Sequence, residues 1–229
     1  YDLKNRFSWM NKFIDLDDNG LEVGAGAGFS KHFIKNKNFK ICDIENHNHL
    51  DLKGVDAQKT NLPDKSYNFV IASNMLHHVA FPIRFLNEMH RILKPGGKLI
   101  IQEAYCSIIF QIITILMRHE GFDFTKNIWT ENEAMSNNSD AWSGNIAVPH
   151  LIFDDKNLFK NKFESKFLIE HEKIYECFIF LNSGGVSSKT FYIPLNSFFL
   201  NILAYLDKIL VYLFPKIFGM GRQIVLKKI

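Results

Sequence analysis

Three glycines spaced two apart, Gly24, Gly26 and Gly28, follow the apolar run Leu21-Glu22-Val23 and precede Phe29-Ser30. Glycine there lets the backbone take positive φ and lets a ligand approach the main chain where a Cβ would collide with it. The stretch therefore predicts a strand, a binding turn and a helix behind it. Glu22 narrows the ligand. A pyrophosphate-binding turn offers N–H groups at a helix N-terminus, and a carboxylate there repels phosphate, whereas a cationic or hydroxyl-rich face tolerates it. The dinucleotide fingerprint also fails, because its third glycine would fall at Phe29. No Gly-Lys-Ser/Thr follows, as a phosphate-binding loop requires. Asp43 closes a second apolar run, Phe39 to Cys42, about twenty residues after the glycines, where acids of doubly wound folds accept ribose hydroxyls. His77 and His78 come just after a third apolar run, Tyr67 to Ala72, and imidazole titrates in the range a general base needs. His150, after Pro149, is a second candidate base.

Elements must hold these groups. Tyr1 to Asn19 places Phe7, Trp9, Met10, Phe13 and Ile14 at helical spacing and predicts a covering helix. Strands are expected at about 20–23, 39–42, 67–72 and 98–102, with a helix from Phe29 to Lys35 and another opening at Pro82, in β-α-β order with a parallel sheet. Ala104 to Met117 predicts a helix too short to cross a bilayer. The irregular stretch from Gly121 to His150, with Trp129, Trp142 and Ser143-Gly144-Asn145, predicts a lid over an acceptor pocket. Asp154-Asp155 should cap a short helix, Phe167 to Tyr175 should be a strand, and Ser183-Gly184-Gly185 a turn.

The ordered set of the three glycines, Asp43, Val55-Asp56-Ala57, Leu62-Pro63, Ser73-Asn74-Met75, Leu76-His77-His78 and Leu93-Lys94-Pro95-Gly96-Gly97 resembles the class I S-adenosylmethionine-dependent methyltransferases. The resemblance is to the branch with Leu-His-His and Leu-Lys-Pro-Gly-Gly, and covers roughly residues 16 to 103. It implies an α/β fold: a Rossmann-like, doubly wound, seven-stranded and mostly parallel sheet, with an antiparallel last strand at the sheet edge near Gln223 to Leu226. An inserted lid and a helical C-terminal region complete it. S-adenosyl-L-methionine is the implied cofactor. Gly24, Gly26 and Gly28 would pass under its methionine part, and Glu22 would hold the turn or the ammonium. Asp43 would accept the ribose hydroxyls, Asp56 the adenine amino group, and the Ala57 N–H would lie beside the ring. Asn74 would also line the cofactor, and His77 would face the methyl acceptor. One departure stands out: only the polar interval Ile44 to Val55 separates Asp43 from Asp56, leaving room for two helical turns at most.

The length of 229 residues predicts a single domain; the resemblance implies a methyltransferase domain with 16–103 as the cofactor-binding half and 104–220 as the acceptor-binding half. A formal net charge of +3 with dispersed lysines excludes a nucleic-acid footprint. Cys42, Cys106 and Cys177, widely spaced, fit a reducing cytoplasm rather than a disulfide framework, and Tyr1 to Arg6 does not read as a cleavable signal. No metal is expected: His47-x-His49 has no second pair. The tail from Tyr192 to Met220 is rich in Phe, Leu, Ile and Tyr with Lys208 and Lys216 between them. Three readings stand: packed core that also lines the acceptor site, a homodimer surface, or a peripheral contact with the inner face of a membrane. Similar tails occur in bacterial methyltransferases of surface-polysaccharide synthesis, so the expected acceptor is a small-molecule or sugar hydroxyl, best a glycan precursor. A quinone or lipid methyltransferase and a non-catalytic binding module are the alternatives.

Overall fold

The computed structural model describes residues 2–118, 120–137, 139–140, 143–182 and 193–229. Trp142, Tyr192 and the expected Ser183-Gly184-Gly185 turn lie outside the described residues. In chain order the elements are α1 (Asp2–Ser8), β1 (Asn19–Val23), β2 (Asn38–Asp43), β3 (Leu52–Lys53), β4 (Tyr67–Ser73), α2 (Pro82–Ile92), β5 (Leu93–Ala104) and α3 (Ile108–Leu116). They continue with α4 (Val148–Phe153), α5 (Lys156–Phe163), β6 (Phe167–Tyr175), α6 (Phe178–Asn182), α7 (Ser197–Leu213), α8 (Pro215–Phe218) and β7 (Gly221–Lys228).

One seven-stranded sheet runs in the order β3-β2-β1-β4-β5-β7-β6. Strands β1 to β5 are parallel, and β7 is antiparallel to both its neighbours. The sheet and its antiparallel last strand are as expected, but β7 is not at the edge. Its Ile224, Val225 and Leu226 are buried, so it sits between two strands, while β6, carrying Glu170, Glu172 and Lys173 among its apolar residues, takes the edge.

Period-two alternation sends side chains to two cores. Val70, Ala72, Leu99 and Ile101 face Phe85, Leu86, Met89 and Ile92 of α2. Phe69, Ile71 and Ile100 face Phe7 and Met10, from α1 and the 3₁₀ turn that follows it.

The helix expected over Phe29 to Lys35 is only a 3₁₀ turn, Phe29–His32. Asn11 intercepts the groups that would extend it: its side chain donates to Phe33 O at 2.9 Å and accepts from Lys35 N at 2.6 Å. No helix forms between Asp43 and Asp56 either. The two-residue β3 pairs with β2, and Val55 N donates to Asp43 O at 2.8 Å, so the short interval still returns Asp56 beside Asp43.

The tail is not core. Phe198, Phe199, Tyr205, Tyr212, Leu213 and Phe214 are all more than half exposed, and in α7 only Asp207 and Val211 are buried. Asp207 anchors the helix, its carboxylate accepting from Cys177 N, Phe178 N and Ile179 N at 2.9, 2.9 and 3.0 Å. It thereby caps α6 from another helix. We expect Asp207→Ala to cost roughly 3 kcal/mol, the order for losing a buried charged acceptor and orphaning its donors. Urea unfolding measures it, and a cost near zero would contradict the anchoring role.

Candidate active site

The glycine loop leaves β1 with Gly24, Gly26 and Gly28 all at positive φ, +65°, +50° and +70°. A Cβ on Gly24 would lie 2.9 Å from Met75 Cβ, whereas one on Gly26 would meet no protein atom within 4 Å. Gly26 thus borders open space, as a ligand cradle requires. The loop is held in place by Asp43, whose Oδ2 accepts from Gly26 N at 2.8 Å, and by His49, whose Nε2 lies 2.7 Å from Gly26 O. Asp43 Oδ1 accepts from Glu45 N at 3.0 Å. Asp56, at the end of the returning segment, accepts from Gln58 N at 2.8 Å, and Ala57 beside it is buried. Open space at Gly26 with an acid on either side of the returning chain fits a cofactor bearing hydroxyls and an amino group.

Glu22 is 2% exposed and accepts a hydrogen bond from the Ser30 hydroxyl, so it ties β1 to the turn behind the loop. Burial pushes its carboxyl from 4.5 up to about 8, a rise that the Ser30 bond opposes and Asp43 reinforces. The folded protein therefore holds a proton the unfolded chain has lost, and stability falls as pH rises from about 4.5 to about 8. Glu22→Gln should flatten that slope in urea unfolding across this range; an unchanged slope would contradict it.

Asn74 leaves β4 in the left-handed region, φ +52°, and its N–H donates to Gln102 O at 2.8 Å. This strained turn delivers His77 and His78 to a cavity of about 270 Å³ that Asn74, Gln102, Glu103 and Glu120 also line. His77 is buried between two acids: Nδ1 is 2.6 Å from Glu103 Oε2 and Nε2 is 3.3 Å from Glu120 Oε2. Glu103 is fixed in turn by Leu76 N, which donates to its Oε1 at 2.6 Å. Burial works against charge on His77, but the two carboxylates outweigh it and lift the imidazole to about 10. His78 moves down, through burial and the charge of His77, whose ring lies 4.2 Å away. The pair is split into one imidazolium and one neutral imidazole.

The stretch expected to form a lid packs on this turn. Asn145 N donates to His77 O at 2.8 Å, the Ser136 hydroxyl to His78 O at 2.6 Å, and Met135 N to Ala80 O at 2.8 Å. His150 is elsewhere: it lies on α4, paired through Nδ1 with Asp154 at 2.8 Å, and does not line this cavity. His47 and His49 stack on each other at 5.5 Å, and His47 pairs with Glu45. Although no metal was expected, His77, His78 and Glu120 form a group of potential ligands. Sequence reasoning missed Glu103 and Glu120. Glu103 carried a signal, since an acid at the carboxyl end of β5 lies next to the end of β4; Glu120, on an irregular segment, carried none.

A larger groove of about 810 Å³ runs between α1, β6 and α7, with Trp9, Lys12, Lys173, Lys208 and Tyr212 in its walls. Glu176 lines both it and the cavity.

Residues 2–133, well over half of the chain, match the sequence profile described as a methyltransferase domain. The chain belongs to the methyltransferase-domain family. A demethylmenaquinone methyltransferase of Listeria monocytogenes is 34% identical over 75 residues, 33% of this chain and 31% of the relative. The aligned part thus spans about a third of the demethylmenaquinone methyltransferases it matches. Among solved structures, an S-adenosylmethionine-dependent methyltransferase from Archaeoglobus fulgidus superposes with a TM-score of 0.56 at 15% identity, covering 99% of this chain and 93% of that one. Another from Methanosarcina mazei gives 0.52 at 14%, covering 97% and 98%. These likenesses show the Rossmann-like methyltransferase fold. In this methyltransferase domain, Asp43→Ala should weaken S-adenosylhomocysteine binding by about 1–3 kcal/mol, the order for bonds to an ionised acceptor. Calorimetry reads it, and an unchanged affinity would mean another group meets the ribose.

Proposed function

We propose that the protein transfers a methyl group from S-adenosylmethionine to a hydroxyl of a glycan precursor carried on a lipid. The observation that carries this reading is the cavity beyond β4 and β5, where two carboxylates and two imidazoles converge. When bound, the cofactor supplies an electrophilic methyl group on a sulfonium. Gly24, Gly26 and Gly28 would let its methionine part approach the main chain, with Asp43 at the ribose and Asp56, Ala57 and Asn74 around the rest.

A hydroxyl attacks poorly until its proton is drawn away. His77 is an imidazolium at neutral pH, so it orients rather than accepts, and Glu120, held against it, takes the proton. Glu120→Gln should therefore lower kcat by about 10²–10⁴. Asn74, Gln102 and Glu120 offer hydrogen-bond partners for sugar hydroxyls, beside an apolar wall of Phe110, Ile146, Phe180 and Met220. A second reading, a quinone acceptor, rests on the demethylmenaquinone methyltransferases among the relatives. Transfer of labelled methyl to hydroxyl-bearing lipid-linked sugars, run beside demethylated quinones, decides: labelled quinone with unlabelled sugar would overturn the glycan reading.

The lipid carrier is suggested by the surface. Most apolar side chains of α7 are exposed, as are Ile112, Ile115 and Leu116 of α3, and α8 packs against both helices. No helix among the described residues is long and apolar enough to cross a membrane. The face would rest on a bilayer with Lys208 and Lys216 at the phosphates, each contributing about 1 kcal/mol near an anionic surface. The protein should sediment with anionic liposomes, and Lys208→Glu with Lys216→Glu should release it. A soluble dimer that ignores liposomes would assign the face to a second copy instead.

A further inference from the structure

We propose that His77, His78 and Glu120 bind one divalent transition-metal ion of the zinc class at the wall of the acceptor cavity. The inference rests on the reading of that cavity as the acceptor site only for what the ion would do there; the binding itself stands on geometry. One ligand atom from each residue falls within a sphere in which all lie within 4.8 Å of one another. Nε2 of His77 is 3.3 Å from Glu120 Oε2, and Nε2 of His78 is 3.9 Å from Glu120 Oε1. Ligands about 2.0–2.2 Å from a tetrahedral ion are themselves roughly 3.5 Å apart, so a small inward shift closes the trio on an ion.

Both imidazoles are oriented as metal ligands are. His77 Nδ1 meets Glu103 at 2.6 Å, and Glu103 is locked by the Leu76 N–H. His78 Nδ1 is 3.2 Å from Ser143 O, a carbonyl that can only accept, so Nδ1 carries the hydrogen and Nε2 keeps its lone pair. A carboxylate or carbonyl behind each imidazole is the outer shell that fixes tautomer and ring plane in metal sites. Gly144 leaves the room this requires, since a Cβ there would fall 2.7 Å from Glu120 Oε2 and 3.2 Å from His78 Nδ1. Two nitrogens and one carboxylate suit zinc and its neighbours, whereas magnesium and calcium take oxygen sets. All three residues line the cavity, so a position on the ion is left for an acceptor oxygen. The ion would take the place of the proton shared by His77 and Glu120, and binding would release it.

The test is titration of the chelator-stripped, tag-free protein with Co²⁺, followed by its visible absorption, and competition with Zn²⁺; neither methyl donor nor acceptor is present. One Co²⁺ per chain, displaced by Zn²⁺, is expected. His78→Ala and Glu120→Gln, each shown folded by circular dichroism, should weaken it by about 10–100-fold. His47→Ala should leave it unchanged. No absorption with Co²⁺ in the millimolar range, or binding lost with His47→Ala and kept in the other two, would overturn the site. Methyl transfer is read separately, so failure here leaves the proposed function standing, and inactivity towards sugars leaves the metal site standing.

Discussion

Gly26→Val is expected to abolish binding of S-adenosylhomocysteine while leaving a folded protein. At φ +50° a β-branched residue is strained, by about 1–2 kcal/mol, which a domain of this size survives. Among the described residues no atom lies within 4 Å of a Cβ at Gly26, so the new side chain starts in open space. The methyl groups would instead enter the space the loop keeps open, and the ligand would be what is excluded. The comparison that makes this specific is Gly96→Val, at φ +74° and also facing open space, but far from the loop in sequence and carrying no cofactor role. It should cost similar stability and leave affinity intact. Calorimetry on both variants, with urea unfolding alongside, separates the effects; tight binding by folded Gly26→Val would remove the loop from the cofactor site.

The second large effect is on stability. Glu103 has a fully buried side chain and serves two donors, Leu76 N and His77 Nδ1. Glu103→Ala leaves the imidazolium with part of its charge unmatched and a buried N–H without its acceptor, and should cost about 3–5 kcal/mol. Glu103→Gln, which keeps an acceptor for Leu76, should cost less. The pH dependence carries a further signature. His77 is raised from 6.5 to about 10 in the fold, so its contribution is fully present below 6.5 and is lost as pH climbs towards 10. That loss should shrink in Glu103→Ala, where only Glu120 of the two carboxylates still faces the imidazole. Equal destabilisation at mildly acid and strongly alkaline pH in the native protein would contradict a charged His77.

The comparison with sequence reasoning follows from what is local. The glycines, Asp43 and the apolar strands were legible because each is a short run whose meaning lies in its own spacing. The missing helix after Gly28 was not, because Asn11, distant in sequence, takes the peptide groups that would have extended it. The tail read as ambiguous because apolar composition cannot distinguish a core helix from a surface one; three backbone donors on Asp207 decide which side of α7 faces α6. At the candidate site the split was the same. His77 announced itself through its motif, whereas its two carboxylate neighbours arrive from the end of β5 and from the irregular segment after α3, and only the tertiary fold brings them together.

On the proposed reading, the loop and the two acids beside it form a working S-adenosylmethionine site. Isothermal titration of S-adenosylhomocysteine into the native protein tests it most directly. A single site per chain, weakened in Asp43→Ala and absent in Gly26→Val, is the predicted result; no heat with ligand in the millimolar range and the protein demonstrably folded would contradict it.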